Sequence, residues 1–156
     1  MVENIDSSIV EALTGYPEVG VPDAIIPLLT VDEAGYPHVC LLSRAELDAD
    51  ASHIYAVVAS TVSKSNIRRD RRATLILFTA LAAYYCKLDV ATINEDDGLL
   101  GIVFTVSSTK KDGDESFHMQ APNYLPTEAI ASNEHWTHSR TLLRELKTEY
   151  SDKHLD

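Results

Sequence analysis

Between Ala24 and Ser108 the apolar residues gather in runs separated by short polar or glycine-bearing segments, a pattern that predicts strands joined by turns. The runs are AIIPLLTV (Ala24–Val31), HVCLLSRAEL (His38–Leu47), HIYAVVAS (His53–Ser60), RATLILFTAL (Arg72–Leu81), AAYYCKLDVATI (Ala82–Ile93) and LLGIVFTVSS (Leu99–Ser108). Pro27 marks the first as an edge or an entry point, because proline cannot donate to a strand ladder. DEAGYP (Asp32–Pro37) reads as a tight connection, with Gly35 free to take positive φ, LDADAS as a polar turn and EDDG (Glu95–Gly98) as another turn. Strands joined this closely favour antiparallel pairing, and about six of them can close into a small barrel.

Three stretches lack the strand rhythm. IDSSIVEALTG (Ile5–Gly15) predicts a short helix with Asp6 or Ser7 as its cap, Ile9, Leu13 and Val10 on its apolar face, and Gly15 at its end. TVSKSNIRRD predicts a second short helix from about Lys64 to Arg69, with Ser63 as N-cap. SNEHWTHSRTLLRELKTEY, from Ser132, predicts a third, packing through Trp136, Leu142, Leu143 and Leu146. KKDGDES reads as a solvated loop. The order is one helix, three strands, a short helix, three strands and a helix, in a single domain spanning residues 1–156.

Composition narrows the function classes. With 45% hydrophobic residues the chain can bury a core. A net charge of −11 argues against a general nucleic-acid binder, since most of the surface would repel phosphates. Cys40 and Cys86 both lie in apolar runs and read as buried free thiols, which suits a reducing, cytoplasmic setting. MVENIDSS does not have the pattern of a signal peptide, and no apolar run approaches the roughly 20 residues of a membrane-spanning helix.

Against that acidic background, Lys64, Arg68, Arg69, Arg71 and Arg72 stand together with one acid, Asp70. Ser60, Thr61, Ser63 and Lys64 lie where the second helix begins. Free N–H groups, a partial positive charge, hydroxyl donors and an ammonium there make a phosphate seat. The competing reading is a solvated helix whose later arginines complement its C-terminal dipole. GxGxxG, P-loop, CxxC and GxSxG patterns are absent.

The same stretch resembles the helix-to-strand segment of the pyridoxamine 5′-phosphate oxidase-like split barrels, which bind FMN. NIRRDRRATL (Asn66–Leu75) matches a family pattern N-L-R-R-D-P-R-V-S-L, with Arg71 in place of the proline. LLTVDEAGYPHVCLLS is similar to the family's opening hairpin, and AAYYCKLDV resembles an AYY-x-K-L strand of its smaller members. The resemblance covers roughly residues 24 to 107. It implies a mainly β (α+β) fold, a six-stranded antiparallel split β-barrel with flanking helices. It also implies a homodimer with two FMN molecules at the interface. His38 to Ser43, including Val39, Cys40, Leu41 and Leu42, would lie beside the flavin ring, and Ser60, Thr61, Ser63 and Lys64 would meet the phosphate. The implied activity is flavin-dependent oxidoreduction of an unspecified small molecule. The alternatives are a non-enzymatic flavin or small-molecule binding protein, or a related barrel using a deazaflavin or haem. The family's C-terminal Arg-x-His pattern has no counterpart beyond HSR (His138–Arg140), so pyridoxamine phosphate oxidation is not the expected activity.

Other candidates are weaker. His135 and His138 have i, i+3 spacing, but two ligands do not make a metal site, and no metal is expected. His118 with Met119 has no axial haem motif around it. Tyr84 and Tyr85 read as strand residues, one inward and one outward. No catalytic residue is assigned.

Overall fold

The computed structural model describes residues 4–116 and 118–153, with side chains through residue 150. In chain order the elements are α1 (Ser7–Leu13), β1 (Asp23–Ala24), β2 (Ile26–Val31), β3 (Pro37–Leu42), a 3-10 turn (Arg44–Glu46), β4 (Leu47–Ala49), β5 (Ile54–Val58), α2 (Thr61–Asp70), β6 (Arg72–Phe78), β7 (Ala83–Asp96), β8 (Leu99–Asp112), β9 (Asn123–Tyr124), α3 (Glu128–Asn133) and α4 (Trp136–Lys153). Seven strands form one antiparallel sheet in the order β3-β2-β6-β7-β8-β5-β4, curled into a half-barrel; β1 and β9 make a separate pair. The split-barrel expectation is met.

The sheet has seven strands where six apolar runs are counted. The run His38–Leu47 is two strands, broken by Ser43, whose hydroxyl accepts from Ala45 N–H (3.2 Å) and caps the 3-10 turn. The chain then re-enters the sheet as β4, inside the segment read as the polar turn LDADAS. The lysines of KKDGDES continue β8 to Asp112. The C-terminal helix is also two. α3 begins at the Thr127 cap and ends at Asn133, and α4 starts only after His135, at φ 55°.

The β2–β3 connection follows its sequence. Asp32 Oδ1 accepts from the N–H groups of Ala34 and Tyr36 (both 2.9 Å), and Gly35 sits at φ 87°. Asp97 and Gly98 both take positive φ (49° and 82°), the two-residue connection that suits the right-handed twist of the long β7–β8 hairpin.

The concave side of the sheet holds the main core. Ile26, Leu28, Leu42, Ile54, Leu75, Ile102 and Phe104 face inward, joined by Ile9 and Leu13 of α1 and Ile67 of α2. Tyr84 faces in and Tyr85 out, its hydroxyl donating to Asp112 Oδ2 (3.2 Å). A second cluster lies on the convex side, where Tyr55, Val57, Leu99 and Val103 meet Leu142, Leu143 and Leu146 of α4. Gly101 allows that approach, since a Cβ there would lie 2.7 Å from Leu146 Cδ1. Among the described residues no helix is long and apolar enough to cross a membrane.

Candidate functional site

β3 is an edge strand, and its alternation separates two roles. His38, Cys40 and Leu42 turn toward the concave side, Leu42 buried and Cys40 half-buried. Cys40 is therefore less enclosed than its apolar run suggests, while Cys86 is buried. Burial pushes the Cys40 thiol up and the Cys86 thiol to about 11, so both are neutral thiols near pH 7.

Pro37, Val39 and Leu41 turn outward, opposite Val31, Leu29 and Pro27 of β2. Every outward position of this hairpin is apolar, and Val39 and Leu41 are 52% and 62% exposed. These side chains form a contiguous open apolar stripe along the sheet edge. An open groove of ≈ 930 Å³ runs along it, where Val31, Pro37 and Thr74 adjoin Arg69, Arg72 and Lys87.

α2 packs against β2 and β3 and puts its first turn beside Cys40. Its cap is Ser60, not Ser63: Ser60 Oγ accepts from Ser63 N–H (3.3 Å) and Ser60 C=O from Lys64 N–H (2.9 Å). The helix thus begins at Thr61, three residues before the expected Lys64. Ser60 fits the cap because it follows β5 directly and still has extended ψ (122°). Ser63 falls on the inner face of the first turn and is fully buried, its Oγ without a hydrogen bond. That hydroxyl offsets part of the upward shift of the Cys40 thiol, which places the two groups side by side. Thr61 is exposed at the helix start.

The cations are mostly engaged. Lys64 Nζ donates to Gly98 C=O (2.7 Å), across to the β7–β8 turn. Arg68 pairs with Glu95; Arg69 with Asp70 and Val31 C=O; Arg72 lies 3.8 Å from Asp89. Arg71 ends the helix at φ 56°, and its N–H donates to Ile67 C=O (2.8 Å). Proline can do neither, so the exchange of the family's proline for Arg71 goes with a left-handed helix ending.

The structure therefore brings Val39, Cys40, Leu41 and Leu42 to one edge, with the first turn of α2 beside them. It turns Lys64 away from that turn toward Gly98. His138 is occupied with Asp96 (3.0 Å), and His135 is exposed. Among the described residues no group of three or more His, Cys, Asp or Glu stands at metal-binding distance.

Three residues with no functional role in the sequence reading meet at the other end of β3. Glu46, Tyr124 and Trp136 line a cavity of ≈ 260 Å³ with Leu41 and Leu42. An acid inside the apolar run HVCLLSRAEL was the signal for Glu46. Tyr124 gave none, because its place depends on the two-residue pairing of β9 with β1.

No family model and no curated protein matches the chain. Among solved structures, a conserved hypothetical protein, Rv2991 from Mycobacterium tuberculosis, matches 78% of this chain and 94% of its own at 13% identity, TM-score 0.54. HupZ from Group A Streptococcus matches 72% of this chain and 99% of its own at 10% identity, TM-score 0.53. An FMN-binding protein from Syntrophomonas wolfei subsp. wolfei matches 55% and 75% at 11% identity, TM-score 0.47. The likeness is one of fold alone: the chain shares a split-barrel-like architecture, a curled antiparallel sheet with flanking helices, with these structures.

Proposed function

We propose that the chain is a cytoplasmic, homodimeric FMN-binding oxidoreductase. The observation that carries this reading is the convergence at one sheet edge of a helix start and an uncovered apolar hairpin face. Ser60 caps α2 and leaves the Thr61 and Val62 N–H groups of the first turn without partners among the described residues. The Thr61 hydroxyl is exposed beside them, and the buried Ser63 hydroxyl lies behind, next to the Cys40 thiol. These groups suit a phosphate, which gains from free N–H donors and the helix dipole. Beside them β3 offers a backbone edge for a flat ring system, and Pro37, Val39 and Leu41 offer an apolar surface for a second copy of the chain. Closed two-fold dimers are the commonest oligomers, and a partner would shield a ring that one small barrel leaves exposed. The two free thiols suit a reducing compartment.

FMN, when bound, supplies the electron transfer; the chain holds the phosphate, orients the ring and excludes water. Titration with FMN tests the reading. Binding at micromolar concentration should quench the flavin's fluorescence, and light scattering should give about twice the 17.2 kDa chain mass. Turnover with a nicotinamide donor would establish the enzyme, whereas bound flavin without turnover would leave a binding protein. Absence of FMN binding would reject this cofactor and favour a deazaflavin or haem.

A further inference from the structure

We propose that α3 is a proton-controlled lid, closed over the end of β3 while the Glu46 carboxyl is neutral and released when that carboxyl carries a charge facing Glu134. A helix is held in place by the side chains it buries, and α3 (Glu128–Asn133) buries none. It meets the cavity of ≈ 260 Å³ through the half-buried Ile130, and Leu41 and Leu42 of β3 line the same space. The chain is fixed on either side of it. Before α3, Pro126 is buried and its C=O accepts from Gly20 N–H (2.9 Å). After it, Trp136 is only 2% exposed at the start of α4. Between α3 and that anchor stands His135 at φ 55°, a left-handed backbone that residues other than glycine rarely adopt. A one-and-a-half-turn helix with no buried side chain, joined through such a residue to fixed chain, can swing out at small cost.

The control lies in two acids that line the cavity, Glu46 from the 3-10 turn after β3 and Glu134 from the end of α3. Among the described residues no Lys or Arg lines it with them, and the nearby Arg44 is committed to Asp23 (2.7 Å) and Thr14 C=O (3.0 Å). A carboxyl enclosed beside apolar side chains and a second acid, without a cation, resists ionisation. Burial raises Glu46 to about 7. Ser43, which donates to Oε1 (3.2 Å), opposes the rise, Glu134 adds to it, and the Trp136 indole against the same carboxyl opposes it weakly.

The other groups at this end hold their charge or face elsewhere. Tyr124 on β9, whose hydroxyl lies against Ser43, is pushed up to about 12, and the Cys40 thiol on β3 is also raised, so both are neutral near pH 7. Asp23 on β1 is paired with Arg44. His135 is exposed and does not line the cavity. Along α4, His138 pairs with Asp96 (3.0 Å), Arg140 lies over the Tyr16 ring and Lys147 pairs with Asp48 (3.2 Å). With α3 swung out, water reaches Glu46 and its carboxyl returns toward the ordinary 4.5. The closed state therefore holds the proton more tightly than the open one. Closure is strongest below about pH 4.5, weakens as pH rises to about 7 and changes no further beyond. Opening bares Leu41 and Leu42 at the end of β3; that this would expose a flavin ring rests on the function proposed above, whereas the opening itself does not.

Hydrogen exchange of the full chain, followed peptide by peptide and divided by the intrinsic exchange rate at each pH, reads the opening. Protection of the α3 segment, residues 128–135, should lie below that of residues 140–146 in α4. It should fall about ten- to a hundredfold from about pH 5 to about pH 7 and level off above. Glu46→Gln places a neutral side chain of the same shape at the cavity, so α3 should keep its high protection at about pH 7. His135 and His138 remain in that variant, so their share of any pH response cancels in the comparison. If Glu46→Gln does not fold, Glu134→Gln, at an exposed position, serves: α3 protection near pH 7 should exceed that of wild type. Equal protection of the two segments at every pH would mean that they open only by global unfolding, and overturns the lid. Protection of α3 that does not vary with pH overturns the proton control. So does a Glu46→Gln response identical to that of wild type, or Glu134→Gln protection no greater than that of wild type near neutrality. The exchange needs no flavin, so failure to bind FMN leaves the result standing.

Discussion

The convex face of the sheet carries two apolar regions with different fates. At the β5–β8 end, Tyr55, Val57, Leu99 and Val103 lie beneath Leu142, Leu143 and Leu146 of α4 and are buried. At the β2–β3 end, Val31, Pro37, Val39 and Leu41 remain exposed. The first region completes itself within one chain, because α4 offers leucines at helical spacing and Gly101 lets them approach. The second has the same outward apolar pattern without such a cover. Burying a Leu or Val side chain is worth roughly 1.5–3 kcal/mol, so leaving this stripe in water forgoes a sizeable stabilisation that a second copy would recover. The β5–β8 end thus serves stability within one chain, while the β2–β3 end is the face that the proposed dimer would cover.

Truncation on the covered side should have the largest effect. Leu142→Ala removes a side chain that is 1% exposed, and the expected loss is about 2–5 kcal/mol of unfolding free energy. Denaturant unfolding checks it. A loss below about 1 kcal/mol would mean that α4 is an appendage rather than a cover.

Next comes Glu46, between the two regions. Its folded value of about 7 lies above the ordinary 4.5, so the folded state holds the proton more tightly than the unfolded chain. Its favourable contribution is complete below about pH 4.5, falls as pH rises to about 7, and is constant beyond. The shift corresponds to at most about 3 kcal/mol. Asp6 and Asp50 are shifted down and act in the opposite direction, so total stability would mix the effects. The measurement is therefore the difference between wild type and Glu46→Gln. That variant should gain on wild type by up to about 3 kcal/mol as pH rises through this window. A difference that does not vary with pH would remove Glu46 from the account.

Leu41→Asp should reverse the Leu142→Ala pattern. The residue is 62% exposed, so protomer stability should change by no more than about 0.5 kcal/mol. Two copies of a charge facing across a two-fold interface should nevertheless reduce the scattering mass from about 34 kDa toward the 17.2 kDa of one chain. A variant that stays dimeric would place the interface elsewhere.

The strands were legible because their apolar runs are long and their turns carry strong local signals, such as Asp32 with Gly35 and Asp97 with Gly98. The breaks inside apolar runs were not. Ser43 ends β3 by capping a 3-10 turn, which period alone does not announce. His135 interrupts a helical pattern that continues through Trp136. At the candidate site, the hydroxyl cluster at the start of α2 could be read, but its cap was placed three residues late. Ser60 and Ser63 are both good caps, and the end of β5 decides between them. Glu46, Tyr124 and Trp136 come together only through tertiary pairing, so local sequence could not join them.

The smallest expected effect concerns the cation beside the uncovered edge. If NIRRDRRATL is laid on the family pattern without gaps, the family's usual phosphate lysine, three residues before the Asn, falls on Ser63, one place before Lys64. One residue turns a side chain by about 100° around a helix. Lys64 accordingly reaches away to Gly98 C=O, while Ser63 points inward with an unused hydroxyl. If FMN phosphate seats at this turn, Ser63 can give it a charge-assisted hydrogen bond worth roughly 1.5–3 kcal/mol. Lys64 adds only attraction at a distance, which salt screens over about 3 Å at 1 M. Ser63→Ala should therefore weaken FMN binding about tenfold or more at any salt concentration. Lys64→Ala should weaken it only about two- to threefold in dilute buffer, and that deficit should vanish near 1 M salt. A large, salt-insensitive loss in Lys64→Ala would mean that the lysine leaves Gly98 when FMN binds. The phosphate would then sit on the β7–β8 side of α2 rather than beside β3.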